Sequence, residues 1–218
     1  DKIVMEKLFD CHTHAGVDEF WKHNGVEPSS QSVSELITKM NQGGIHFAVI
    51  FPMVSSPYFD VKSMINGTYI PSGREAFPYG QSNKNLLDEI SLLPDEDQQR
   101  LFPFFCFSPA DKVDEQLDFL RRSIDSGAIK GLKYHPFACR ESMASVSNVP
   151  FLELAQEYSL PLVLHYGLDE FSNGEGLLDV VRTFDKVRFN FAHIARFDEN
   201  MLEEVNQLPN MFIDVSCL

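Results

Sequence analysis

The feature that most narrows the fold of this chain is a repeated change of pattern. Short apolar runs rich in β-branched and aromatic residues alternate with amphipathic stretches of helical length. Seven runs read as strands: Leu8–His14, His46–Val54, Leu101–Phe107, Ile129–His135, Pro161–Tyr166, Val187–His193 and Met211–Ser216. Most are nearly continuous in apolar residues, as strands covered on both faces must be. Helical stretches follow the first six, at Ser32–Met40, Asn83–Leu93, Asp111–Asp125, Asn148–Tyr158, Gly174–Phe184 and Glu199–Leu208. In the third of these, Val113, Leu117, Leu120 and Ile124 share one face while Asp114, Glu115 and Arg122 fall elsewhere. Asp111 and Asn148 stand where N-caps are expected. Repeated strand–helix–strand units imply parallel strands joined by right-handed crossovers, hence an α/β fold. Two architectures satisfy this, a (β/α)8 TIM barrel and an open doubly wound sheet. Neither glycine-rich phosphate loop, G-x-G-x-x-G or G-x-x-x-x-G-K-[ST], is present, which weighs against nucleotide-binding folds. A long insertion after the second strand, residues 55–82, is rich in Pro, Gly, Tyr and Phe and has the length of a lid or binding loop.

The chain has 218 residues, enough for one large domain with a deep site. Its 18 basic residues against 32 acidic ones give a net charge of −14, which disfavours nucleic acid and anionic membranes as partners. No run reaches the ~18 apolar residues of a membrane helix. The start DKIVMEKLFD is too charged for a signal peptide, so a cytoplasmic protein is expected. Cys11, Cys106, Cys139 and Cys217 lack C-x-x-C spacing and read as reduced thiols.

Seven histidines are present, and five fall at the carboxyl ends of expected strands: His12 and His14 on the first, His135 on the fourth, His165 on the fifth and His193 on the sixth. In a parallel barrel those ends form one rim, where active sites are built. Strand alternation places Asp10, His12 and His14 on one face of FDCHTH. Two strand residues span roughly 6.6 Å, which lets two imidazoles converge on one ion. The same parity places Lys133 with His135. His23 and His46 read as ordinary polar residues, His46 because it opens its strand.

Taken in order, FDCHTH, FPFFCFSP, GLKYHP, LVLHYG, FNFAHIARF and MFIDVS resemble the strand motifs of the amidohydrolase superfamily, in the branch called amidohydrolase 2. The resemblance covers nearly the whole chain. It implies a metal-dependent (β/α)8 TIM barrel, most often with zinc, acting on a small-molecule substrate by hydrolysis or, in some members, by decarboxylation or hydration. Carried over by position, it implies that His12, His14 and His165 are metal ligands and that His193 acts on substrate or water, as in mononuclear members, or binds a second metal, as in binuclear ones. Lys133 occupies the fourth-strand lysine position and is expected to contact substrate. His135, Arg140 and Arg196 are candidate substrate contacts at the rim, the arginines through a substrate carboxylate. Trp21, in the first rim loop, is a candidate for packing against an apolar substrate. Asp10 is a candidate to orient a ligand.

The pattern also implies an eighth strand ending in an aspartate that serves as general base, and no such segment follows Asp214 before Leu218. Asp214 itself matches the seventh strand. Against the ~250 residues typical of the fold, the deficit is one strand and helix. Three accounts stand open: further residues beyond those given, a natural shortening that makes the chain an inactive interaction module, or a missing strand supplied by another chain. An open barrel of seven strands exposes two edges, so either more chain or a homo-oligomeric contact is expected to cover them.

Overall fold

The computed structural model describes residues 7–18, 30–53, 58–174 and 176–216. All seven expected strands are present and parallel, in one sheet of order β2-β1-β3-β4-β5-β6-β7-β8. They are β1 (Leu8–Val17), β3 (Ile45–Pro52), β4 (Leu101–Cys106), β5 (Gly131–Tyr134), β6 (Pro161–Leu164), β7 (Arg188–Phe191) and β8 (Met211–Ile213). The addition is β2 (Ser30–Gln31), which pairs antiparallel with Gly16 and Val17 on the outer edge of β1. Two residues are too few to carry a period-2 signal, so this strand is invisible to pattern reading.

Helices occupy the crossovers: α1 (Val33–Gly43), α2 (Val61–Ile65), α3 (Gly80–Ser91), α4 (Asp95–Gln98), α5 (Val113–Asp125), α6 (Pro136–Cys139), α7 (Val149–Glu157), α8 (Leu177–Thr183) and α9 (Glu199–Glu204). This is the α/β barrel architecture. Helix α1 shows why the sequence starts where it does. Ser32 accepts from the Glu35 main chain while Glu35 reaches back to the Ser32 N–H, a full capping box, and Gly44 closes the helix at φ 66°. Its buried face, Val33, Leu36, Ile37 and Met40, packs with Ala15, Ala48, Ile50, Leu86 and Ile90.

Two expected caps are corrected. Helix α5 opens at Lys112, in the left-handed region without a side-chain cap, because the Asp111 carboxylate is taken by the Tyr58 hydroxyl and the Lys112 N–H. Asn148 precedes α7, but its amide donates to Tyr134 Oη and Ser142 O instead of capping. The insertion after β3 is anchored: Tyr58 and Phe59 are buried, and Phe59 bridges antiparallel to Pro71. Its last residues form the first turn of α3.

Core packing rests on phenylalanine. Phe105 stacks on Phe119 of α5, and Phe107 stacks on Phe151 of α7, with centroids at 5.4 Å and 4.4 Å. At Gly131 a Cβ would lie 2.5 Å from the Phe104 ring, so the β4–β5 approach requires glycine there. Helix α3 is tied to the end of β4 by Asn83, whose amide donates to Cys106 O (2.8 Å) and accepts from Cys106 N (3.0 Å). Among the described residues no ladder joins β8 to β1, and Leu8, Phe9 and Phe212 of these two strands are about half exposed. Cys11, Cys106 and Cys139 are free thiols. Among the described residues no helix is long and apolar enough to cross a membrane.

Replacing Asn83 by Leu removes two buried hydrogen bonds and is expected to cost roughly 2–4 kcal/mol, read as a lowered urea midpoint. Asn85→Ala, two residues away on an exposed face, is expected to stay within about 0.5 kcal/mol of the parent.

Candidate active site

The site lies at the carboxyl ends of the parallel strands, where β1, β5 and the residues just after β6, β7 and β8 deliver polar side chains beside the Phe51 ring of β3. On β1 the register slips by one residue between Asp10 and Thr13 against β3. This bulge breaks the strict alternation expected for FDCHTH. Thr13 turns outward and donates to Val49 O, while His12 and His14 both face inward against the Phe51 ring, with centroids at 5.1 Å and 4.5 Å. Asp10 Oδ1 accepts from the His12 main-chain N–H at the bulge. The imidazole of His12 is oriented by a different carboxylate: Nδ1 lies 2.8 Å from Asp214 Oδ2, with the two side chains 6% and 2% exposed. The role expected of Asp10 therefore falls to Asp214 at the end of β8.

The other rim histidines join this pair. His193 Nε2 lies 3.0 Å from His165 Nδ1, and the His165 ring stacks on His135 with centroids 3.8 Å apart. His12 and His193 have centroids 5.3 Å apart. His135 has a second task, accepting from the Ala138 N–H to open α6. Lys133, on β5, is fully buried with Nζ 4.9 Å from the Phe51 centroid. The structure thus brings together His12, His14, His135, His165, His193 and Lys133. His46 stands apart at the start of β3, accepting from the Leu8 N–H. Trp21 and His23 lie outside the described residues.

Burial and the Lys133 ammonium together keep the imidazoles neutral. Burial, then Lys133, pushes His14 down to about 3. The same two causes, in the same order, hold His12 and His165 below the ordinary histidine range. His193 is pushed down to about 4, chiefly by burial. His135 is lowered by burial and by His165. Burial pushes the Asp214 carboxyl up, but hydrogen bonds from His12, Ser216 and the His193 main chain outweigh it and hold the carboxylate well below its usual range. The His12–Asp214 contact is therefore a neutral imidazole N–H donating to an ionised carboxylate.

The tautomers follow from the acceptors. His12 Nδ1 meets a carboxylate and His14 Nδ1 meets the Pro52 carbonyl at 3.2 Å, so both Nδ1 atoms carry the proton and both Nε2 atoms keep a lone pair. This is the arrangement in which metal-binding histidines are held by their neighbours. The donor chemistry suits a divalent cation, although among the described residues no three His, Cys, Asp or Glu side chains are grouped to hold one ion.

The strand-end loops are shaped by strain. Residues His193, Ile194, Ala195, Arg196 and Phe197 all lie in the left-handed region, with φ between 48° and 62° and no glycine among them. Each such residue costs about 1–2 kcal/mol, and the turn is held by Asp214, whose Oδ1 takes the His193 N–H and whose main-chain O takes the Ile194 N–H. The turn places Arg196 near enough that its charge opposes protonation of His165 and His193. Arg140 is placed differently, with its guanidinium 5.3 Å from the Phe171 centroid and 5.8 Å from that of Tyr69.

Asp214 and Ser216 join the histidine cluster through hydrogen bonds to His12 and His193, and the histidine pattern alone does not find them. The signal was available, because residues two apart at a strand end share a face, as His12 and His14 do.

Neither a family model nor a curated protein matches this sequence. Solved structures do match its fold. A 2,6-dihydroxybenzoate decarboxylase, solved with 2,6-dihydroxybenzoate, aligns over 97% of this chain and 81% of its own at a TM-score of 0.67 and 13% identity. What the two chains share is the fold, a parallel β/α barrel. A Staphylococcus aureus protein designated an amidohydrolase aligns over 97% of this chain and 80% of its own, at a TM-score of 0.64 and 15% identity. The 5-carboxyvanillate decarboxylase LigW2 of Novosphingobium aromaticivorans, solved as the D314N mutant with bound manganese, aligns over 96% of this chain and 75% of its own, at 0.61 and 12%. At these identities the likeness is one of fold.

Two measurements probe the site as it stands. The folded histidines at about 3 and 4 bind fewer protons than unfolded ones at 6.5. Stability is therefore fully present above pH 6.5 and is lost as pH falls towards 4. In chelator-treated protein, unfolding free energy from urea titrations is expected to drop between pH 7 and pH 5 by about 1–2 kcal/mol per imidazole. Arg196→Gly, at an exposed position with φ 49°, is expected to raise stability by up to about 1 kcal/mol, because glycine adopts the left-handed region without penalty; a lowered thermal midpoint would contradict the assigned turn.

Proposed function

We propose that this chain is a metal-dependent enzyme of the amidohydrolase superfamily that hydrolyses an amide or ester-like bond in a small organic molecule. The observation that carries the proposal is the pair His12 and His14, held by Asp214 and the Pro52 carbonyl with their Nε2 lone pairs free for a ligand. His165 completes the donor set, since its Nδ1 is engaged with His193 and its Nε2 is left to bind. These three imidazoles, which are not grouped around one point as they stand, would have to draw together on a divalent ion such as zinc or manganese, and that ion would supply the Lewis acidity that acidifies water and polarises a carbonyl at neutral pH.

The residues of the chain do the rest. His193 is neutral at pH 7, and its Nε2, which accepts from His165 Nδ1 at 3.0 Å, takes up a proton from a nucleophile only when His165 releases that lone pair. The buried Lys133 ammonium stabilises negative charge developing on substrate and discourages protonation of the surrounding imidazoles. Phe51 and the stacked His135 ring limit the water that reaches His14 and His165. Arg196, exposed on the left-handed turn after His193, is a candidate to meet a substrate carboxylate.

That placement of Arg196 favours one second reading, decarboxylation of a small aromatic or unsaturated acid by the same residues. The same donor set serves both reactions, so product analysis separates them. Release of CO2 from a panel of hydroxybenzoates selects decarboxylation, and acid release from lactones or amides selects hydrolysis.

The metal proposal has its own test. Protein purified without added metal is expected to carry close to one equivalent of a divalent transition metal by elemental analysis, and less than about a tenth of an equivalent would sink it. His12→Ala and His165→Ala are expected to lose that metal, whereas His193→Ala retains it. Equal loss from all three would instead assign His193 to the metal.

A further inference from the structure

Side chains from β1, β7 and β8 meet at one hydroxyl. Ser216 Oγ lies 2.5 Å from Asp214 Oδ1, 3.0 Å from His193 Nδ1 and 3.2 Å from His12 Nδ1. A hydroxyl has one proton to give and two lone pairs to offer. The ionised Asp214 can only accept, so the hydroxyl proton goes to its Oδ1. The lone pairs then face two imidazole Nδ1 atoms, and both of these must donate. The Ser216 main-chain carbonyl, 3.2 Å from His193 Nδ1, is likewise only an acceptor and demands the same tautomer. With its proton on Nδ1, His193 keeps a lone pair on Nε2 and accepts from His165 Nδ1 at 3.0 Å.

The outcome is a run of hydrogen bonds with a single direction. His165 donates to His193, His193 donates to Ser216, and Ser216 donates to Asp214. The other Asp214 oxygen takes His12 Nδ1 and the Asn190 amide. Aligned bonds of this kind polarise one another in a buried site.

We propose that Ser216 is a positioning residue that fixes the Nδ1-protonated tautomer of His193 and joins that ring to the His12–Asp214 pair. The proposal rests on the roles given above to His12 and His193, and it adds the element that sets both rings together. A merely structural role is available to Ser216 as well, because its main-chain N–H closes a turn on Asp214 Oδ1 at 3.0 Å. That turn survives replacement by alanine, whereas the hydroxyl bonds do not, and this difference makes the proposal testable.

The test is long-range proton–nitrogen NMR on the whole chain labelled at histidine nitrogens, after chelator treatment at pH 8, with rings assigned by single His→Gln variants. His193 and His12 are both expected to carry the proton on Nδ1 and to show slowly exchanging imidazole N–H signals. In Ser216→Ala the His193 N–H is expected to exchange about tenfold faster, the factor one ordinary hydrogen bond is worth, while the His12 N–H, held by Asp214, persists. Ser216→Thr is expected to restore the slow exchange. A wild-type His193 protonated on Nε2 would overturn the proposal whether or not the variants fold. Unchanged His193 exchange in a folded Ser216→Ala, or fast exchange in a folded Ser216→Thr, would also overturn it. Failure of the metal proposal, read by elemental analysis of untreated protein, leaves these tautomers as stated, so the two failures are distinct.

Discussion

The interaction on which the rest of this site depends is the hydrogen bond between His12 and Asp214. These residues stand on the first and last strands of the parallel sheet, and among the described residues no backbone ladder joins those strands. Side chains do the joining. His12, Asp214 and Ser216 close the rim at its carboxyl end, while the opposite end of the same seam leaves Leu8, Phe9 and Phe212 half exposed. A carboxylate that also receives the His193 and Ser216 main-chain N–H groups is held on β8 as firmly as a side chain can be. His12 thereby inherits a fixed orientation from a residue 202 positions away along the chain.

Electrostatics and sterics then act in the same sense. A buried lysine among five imidazoles penalises every additional positive charge, so the rings stay neutral and their lone pairs stay available. Protonation would also break the directed hydrogen bonds, since a doubly protonated His193 has no acceptor for His165. The left-handed turn from His193 to Phe197 fits the same logic. Strain of this kind persists only where the surroundings over-determine the backbone, and Asp214 supplies that constraint with a side-chain and a main-chain oxygen.

Much of this was legible in the sequence. The seven parallel strands appear with boundaries within a few residues, because apolar runs bounded by turn residues are strong local signals. The five strand-end histidines converge as their positions imply, and Lys133 joins them. What escaped was set by tertiary structure. The bulge on β1 moved Asp10 off the His12 imidazole, and nothing in FDCHTH announces an extra residue in the register. Asp111 and Asn148 look like caps but find better partners in Tyr58, Tyr134 and Ser142, all brought near by other segments. Arg140 and Arg196 are indistinguishable by position, yet one rests against aromatic rings and the other stands beside the histidines.

The span of the His12–Asp214 bond, 202 residues along the chain, has a consequence for synthesis. A ribosome delivers His12 and His14 well before Asp214 and Ser216. Until the end of β8 has been made, the first histidine of the site has no partner to orient it, however well the intervening strands have paired. The orientation of His12 is therefore withheld from any chain made only as far as β7, and it arrives in a single step when Asp214 comes into place.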